Sequence, residues 1–288
     1  MLYEYVHDSS ARVLPLQGRF TDQPNQSTIR RPIRRPARPA NPSVSVVVPT
    51  LNEARNLPFV FSTLNGLDVE VIIVDGRSKD DTVRVATSLR SDAVVVREPR
   101  KGKGAALQAG FAAAQGDIIV MLDSDGSADG REIPAFVEAL KSGADFAKGS
   151  RFAPGGGSAD ITWSRRTGNA LLSQLVNTVF GARFTDLCYG YNAFWRDCLP
   201  YLNVTSDGFE VETLLNIRAV KSGLRIQEVP SYESIRIHGH SNLHAMKDGL
   251  RVLRTIISEC RRSTYLDHVP EPARASIYTR STATAGAA

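Results

Sequence analysis

Apolar positions along the chain fall into short continuous runs, separated by stretches with helical spacing. "SVSVVVPT" (43–50), "VEVIIVDG" (69–76), "AVVVREP" (93–99) and "DIIVMLDSD" (117–125) are brief and rich in Val and Ile, and "ADFAKGSRF" (144–152) is a fifth short stretch read the same way. Such runs predict strands, mostly buried. Between them, "NEARNLPFVFSTLNGL" (52–67), "SKDDTVRVATSLR" (78–90), "KGAALQAGFAAAQG" (103–116) and "EIPAFVEALKSG" (132–143) carry helical patterns. Ser78 and Asp81 have capping-box spacing, so the second helix is expected to open at Ser78. Gly116 is expected to end the third. Strand–helix alternation with short links predicts an α/β fold around a doubly wound, mostly parallel sheet. Ligands of such sheets bind beyond the carboxyl ends of the strands.

After residue 152 the pattern changes. "APGGGSAD" (153–160) reads as a flexible loop. Helical patterns follow at 167–181, 207–223 and 244–262, and strand-like patterns at 185–197 and 225–237. No tandem repeat is visible.

Composition narrows the class. The chain has 288 residues, 42% hydrophobic and 23% charged, which suits one globular domain or two small ones. No apolar run reaches the roughly 18 residues of a membrane span, and "MLYEYVHDSS" lacks the pattern of a signal peptide. A soluble, cytoplasmic protein is expected. Cys188, Cys198 and Cys260 form no CxxC, which argues against a disulfide framework or zinc finger and for small buried side chains. The formal charge of +5 is uneven: residues 1–42 hold seven Arg against Glu4, Asp8 and Asp22, a balance of +4. Proline spacing in "IRRPIRRPARPANP" favours an extended chain. Residues 1–42 are therefore expected to be a disordered basic tail, and residues 263–288 a flexible one. Such a tail can touch anionic lipid. Nucleic-acid binding would rest on this tail alone and is set aside.

The chemistry gathers at the predicted strand ends. Asp123 and Asp125 stand where the fourth strand leaves the sheet, Asp75 ends the second, and Pro49–Thr50 ends the first. Asp-x-Asp at a strand end brings two hard oxygen ligands to one divalent ion, Mg²⁺ or Mn²⁺, with substrate phosphates completing the shell. "GKGAALQAG" (102–110) is neither a P-loop nor a dinucleotide fingerprint. The basic "REPRKGKG" (97–104) is suited to steering a phosphorylated donor.

These stretches, in this order, resemble family-2 glycosyltransferases of GT-A fold. "SRRTGNALLS", "TDLCYGYNAFWRD", "GFEVETLLNIRAVKSGLRIQEVP" and "RIHGHSNLHAMKDGLRVL" are similar to the dolichyl- or polyprenyl-phosphate mannose synthase branch. The resemblance covers about residues 43–258. It implies one catalytic domain over 43–262, with a nucleotide-sugar half (43–152) and an acceptor half (153–262). It implies donor-binding roles for Pro49, Leu51, Glu53, Asp75, Asp123, Arg151, Arg236 and one of Arg165 or Arg166. Asp123 and Asp125 would hold the metal, with Asp125 also counted as catalytic. Asp186 would lie near the acceptor. The implied reaction is inverting and metal-dependent, from a GDP- or UDP-sugar to a polyprenyl or dolichyl phosphate at the membrane surface.

Three departures stand out. Arg77 follows Asp75–Gly76, where the family is more acidic, and bears on base preference. Ser127 replaces a Gln after the carboxylate pair, and His240 replaces a Glu of a closing segment, "GHSNL" (239–243). His238, His240 and His244 cluster without metal-ligand partners, so they are read as phosphate-pairing or solvated. An ionised lipid phosphate needs no general base. A hydroxyl acceptor needs one, with Asp186 the first candidate and Glu210 and Glu212 behind it. The rival readings are a hydroxyl-accepting glycosyltransferase, a nucleotidyltransferase, disfavoured by the glycine-free "PTLNEARNLP", and a noncatalytic nucleotide-sugar-binding protein.

Overall fold

The β-branched runs form strands where both of their faces are covered. In the computed structural model, which describes residues 36–239 and 245–262, β1 (Val44–Thr50), β2 (Glu70–Asp75) and β4 (Ile118–Met121) are almost wholly buried. β3 (Val94–Arg97) is the more exposed edge. They alternate with α1 (Leu57–Thr63), α2 (Thr82–Leu89), α3 (Lys103–Ala113) and α4 (Ile133–Lys141). β5 (Phe146–Ser150) leads through β6 (Gly157–Ser158) to the long α5 (Trp163–Phe180). β7 (Asn192–Trp195), α6 (Leu199–Leu202), α7 (Val211–Lys221), β8 (Ile226–Pro230), β9 (Tyr232–Glu233) and α8 (Ala245–Arg261) follow.

The main sheet has seven strands in the order β3-β2-β1-β4-β7-β5-β8. β1 pairs in parallel with β2 and β4, and β5 with β8. β7 alone runs antiparallel, between β4 and β5. This reversal matters for the site: the segment before β7 arrives at the same edge as the carboxyl ends of β1 and β4. α3 lies very close to the sheet, since a Cβ on Gly110 would come within 2.3 Å of Val47 Cγ1. A second, smaller core joins Val176 of α5, Ile217 of α7, and Val252 and Ile256 of α8.

Four expectations change. α2 opens at Thr82, not Ser78, because Ser78 Oγ is taken by the Asn52 N–H at 2.9 Å and Asp80 accepts the Thr82 N–H at 3.1 Å. α3 ends at Ala113; Gly116 instead allows a close approach, donating its N–H to Ser45 Oγ at 2.7 Å. The loop 153–160 is partly paired, β6 with β9, so 225–237 splits into two strands. Of 185–197, only Asn192–Trp195 is strand. The stretch assigned to the basic tail also makes contacts. Arg38 pairs with Asp145 at 2.7 Å and Asp197 at 3.1 Å and stacks over Trp195. Residues 1–35, 240–244 and 263–288 lie outside the described residues, and with them most of both expected tails, His240 and His244. Among the described residues, no helix is long and apolar enough to cross a membrane.

Candidate active site

The first strand-end loop is fastened to the second. Asn52 takes φ 58°, a left-handed conformation that Asn tolerates. Its Oδ1 accepts the Lys79 N–H at 2.8 Å, and the Glu53 N–H donates to Thr82 Oγ1 at 2.9 Å. Pro49, Leu51 and Glu53 are thereby set beside Asp75–Arg77. Beyond β4, Ser124, between Asp123 and Asp125, ties the turn to β1: its Oγ donates to the Pro49 carbonyl at 2.8 Å.

A cavity of about 530 Å³ opens at this edge. Pro49, Leu51, Glu53, Asp123 and Asp125 line its donor side, and Arg151, Arg165 and Arg236 also reach it. Asp75 does not. It is buried, accepts the Ser78 N–H at 3.2 Å, and lines a neighbouring depression with Arg97. Arg77, at φ 72°, borders both.

Each carboxylate of the pair carries its own cation. Lys103, the first residue of α3, lies 2.6 Å from Asp123 and 2.7 Å from Glu212 of α7. Burial disfavours the Lys103 charge, but the two carboxylates outweigh it and raise the lysine pKa. Burial also raises the Glu212 carboxyl, with Lys103 opposing. Arg236 bridges Asp125 at 2.8 Å and Glu53 at 3.1 Å. Ser127 orients the other Asp125 oxygen, its Oγ at 2.6 Å and its N–H at 2.9 Å. The segment after β9 is tied down over the pair: Ser234 N–H donates to the Ser127 carbonyl at 2.8 Å, and Asn56 Nδ2 to the His238 carbonyl at 3.1 Å.

The acceptor half is arranged differently from the sequence reading. Asp186 is fully buried and does not line the cavity. It sits behind Arg151, whose Nε and Nη2 lie at 2.7 and 3.0 Å, while Arg151 Nη1 reaches Glu233 at 3.0 Å. Burial would raise the Asp186 carboxyl, but Arg151 and Lys148 outweigh it and hold it below the usual range. In this arrangement Asp186 is no exposed base. Arg151 in turn is spent on two carboxylates. Of the other acids, Glu212 faces the cavity and Glu210 does not. Of the paired arginines, Arg165 lines it, held to Asp160 at 3.1 Å, and Arg166 stacks on Phe152.

Lys103, Glu233 and Asn169 are site residues that the sequence pattern does not distinguish. The basic loop ending in Lys103 reads only as a steering surface, although its place at the head of a helix after a strand puts it at the ligand edge. Asn169 Oδ1 accepts the Cys188 N–H at 3.0 Å, and its Nδ2 is buried without a partner. α3 is also docked by its backbone: Gly104 and Ala105 N–H groups both donate to the Asp207 carbonyl, at 2.8 and 3.2 Å. Gly102, at φ 114°, leaves no room for a Cβ beside that same oxygen.

The donor set suits a hard divalent ion. Mg²⁺ sites commonly use one or two carboxylates and let substrate phosphates complete the shell. Asp123 and Asp125 supply such a pair, and Lys103 and Arg236 beside them show that the position accommodates positive charge.

Known proteins resemble this chain in sequence and fold. The profile of Glycosyl transferase family 2 matches residues 45–199. Glycosyltransferase AglJ of Haloferax volcanii is 31% identical over 217 residues, covering 73% of this chain and 70% of that protein. Polyprenol monophosphomannose synthase of Mycolicibacterium smegmatis is 34% identical over 202 residues, covering 64% of this chain and 75% of that one. A crystal structure of glucosyl-3-phosphoglycerate synthase from Mycobacterium tuberculosis, in complex with Mn²⁺, uridine-diphosphate and phosphoglyceric acid, shares the GT-A fold at TM-score 0.62 and 25% identity, covering 81% of this chain and 86% of that one. The profile match runs from β1 to the start of α6 and takes in the carboxylate pair, Lys103 and the segment that seats Asp186; this chain is a glycosyltransferase and belongs to family 2.

Proposed function

We propose that the chain transfers a sugar, with inversion at the anomeric carbon, from a GDP- or UDP-sugar to a polyprenyl phosphate. The observation that carries this reading is the two-sided cavity. Its donor side holds the carboxylate pair, and its other side is walled by Ile161, Leu172, Phe209 and Val252. Trp163, between the cavity-lining Ile161 and Ser164, is 81% exposed. An acceptor presented from an apolar layer fits such a rim, and the Mycolicibacterium relative named as a polyprenol monophosphomannose synthase supports the choice.

Asp123 and Asp125 would hold Mg²⁺ or Mn²⁺, which supplies positive charge against the charge developing on the departing diphosphate. Lys103, kept protonated, and Arg236 add positive charge on the same side. Leu51 and Glu53 flank the nucleoside, and Arg77 borders the base. Asp186 and Glu233 position Arg151. A phosphate acceptor is already ionised near neutral pH, so the buried state of Asp186 is no obstacle.

A hydroxyl acceptor is the second reading, and Glu212 favours it: this carboxylate faces the cavity with a proton affinity lifted by burial. The neighbour solved with phosphoglyceric acid lends it support. Release of nucleoside diphosphate from a panel of nucleotide-sugars, with and without polyprenyl phosphate, separates the two. Release that needs both the lipid phosphate and Asp125 supports the first reading. Asp125-dependent release that the lipid does not stimulate supports the second. No turnover with any donor, in wild type supplied with Mg²⁺ or Mn²⁺, would overturn both.

A further inference from the structure

The charges of α8 are sorted by face. Its two acids, Asp248 and Glu259, are buried, and Glu259 is held by Arg218 and Lys221 of α7 at 3.0 and 3.1 Å. Its basic residues Lys247, Arg251, Arg254 and Arg261 are all exposed. Arg251 pairs with Asp248 at 3.1 Å. Lys247, Arg254 and Arg261 have no carboxylate partner among the described residues. Leu250 and Ile257 lie on the same stripe, 52% and 43% exposed. Positions 247, 250, 254, 257 and 261 recur every three or four residues and so share one helix face. The inner side packs Val252 and Ile256 against α5 and α7, and Gly249 and Val252 reach the cavity.

We infer that this outer face of α8 docks on an anionic phospholipid surface. A stripe of unpaired cations with two aliphatic side chains among them matches the boundary between headgroups and acyl chains. A second copy of the chain fits poorly, since its equivalent face would bring like charges together. Nucleic acid would leave Leu250 and Ile257 without a role. Docking in this pose holds the domain at the membrane with α8 between the bilayer and the cavity, which Gly249 and Val252 reach from the inner side. The inference deepens the lipid-phosphate reading and takes its purpose from it, but stands on the charge pattern of α8.

The test uses the full chain with vesicles of phosphatidylcholine, with and without phosphatidylglycerol. Wild type should sediment with the anionic vesicles only, and added salt should release it. The triple replacement Lys247→Gln, Arg254→Gln, Arg261→Gln should lower the partition coefficient on the order of 100-fold, from about fivefold per basic residue near an anionic surface. Leu250→Ser with Ile257→Ser should weaken binding while leaving its salt dependence. Each single basic replacement, read separately, keeps the test open should the triple variant unfold. Turnover of a short, water-soluble prenyl phosphate should be the same in wild type and the triple variant, and only turnover of vesicle-borne acceptor should fall. Wild type that ignores anionic vesicles overturns the inference. So does a folded triple variant that binds as wild type does while glutamine replacement of Arg30, Arg31, Arg34 and Arg35 releases the protein. Absence of turnover with any prenyl phosphate would sink the acceptor reading instead, and vesicle binding would still decide the surface.

Discussion

Replacing Asp186 with Asn separates a structural role from a chemical one. The carboxylate is fully buried and accepts two side-chain bonds and one backbone bond from Arg151, at 2.7, 3.0 and 3.2 Å. Removing one partner of a buried ion pair costs about 3–5 kcal/mol, chiefly by leaving the other charge uncompensated. Glu233 still holds Arg151 at 3.0 Å, which points to the lower end, about 3 kcal/mol. A domain of this size loses about 2–4 °C of Tm per kcal/mol, so the midpoint should fall by about 6–12 °C. The sign with pH follows from the lowered Asp186 pKa. Its contribution is complete above the unfolded carboxylate value of about 3.9 and is lost as pH falls through the lower folded value. The gap in Tm between wild type and variant should therefore be full at neutral pH and narrow in acid. Circular-dichroism melts from neutral to acid pH, with turnover measured well below both midpoints, read the two effects separately. A variant that melts with wild type yet loses its turnover would refute the reasoning and return Asp186 to the chemistry.

Asp123→Asn and Asp125→Asn should each cut turnover on the order of 100-fold with little change in Tm, and chelation of divalent ions should do the same to wild type; a variant at half the wild-type rate would count against the pair. Gly190→Ala places a Cβ 2.7 Å from Lys103 Nζ and 3.2 Å from Asp123 Oδ2. The lysine end can swing aside, so stability should hold while donor turnover falls about tenfold, the value of one charge-assisted bond; steady-state kinetics beside a melt checks this. Gly110→Ala should do the reverse. Its Cβ would press on Val47 Cγ1 at 2.3 Å, a stiff β-branched contact, and overpacking of about 1–3 kcal/mol should lower Tm without harm to activity in the cold.

Local signals explain what the sequence made legible. β1 to β4 are β-branched runs, and the end of the fourth places Asp123 and Asp125 at the ligand edge. What escaped depends on distant partners. Ser78 has the right spacing to cap a helix, but Asn52, from another loop, takes its hydroxyl. Glu212 meets Lys103 across more than a hundred residues, and no local pattern announces that pairing. Asp186 looks like a site acid through the family resemblance of "DLCYGYNAF" alone. Its burial is decided by Arg151, which the reading had reserved for phosphate. The direction of β7 was equally hidden, since an apolar run of four reads the same either way.

The docking of α3 bears on how the proposed reaction ends. A free helix N-terminus offers fixed amides to an anion. In α3 the amides of Gly104 and Ala105 are already consumed by the Asp207 carbonyl. The grip on a diphosphate then falls to the ends of side chains, Lys103 and Arg236, which can rotate. Each has carboxylates to return to, Asp123 and Glu212 for one, Asp125 and Glu53 for the other. Product departure becomes an exchange of partners in which neither cation is left bare as the nucleotide leaves.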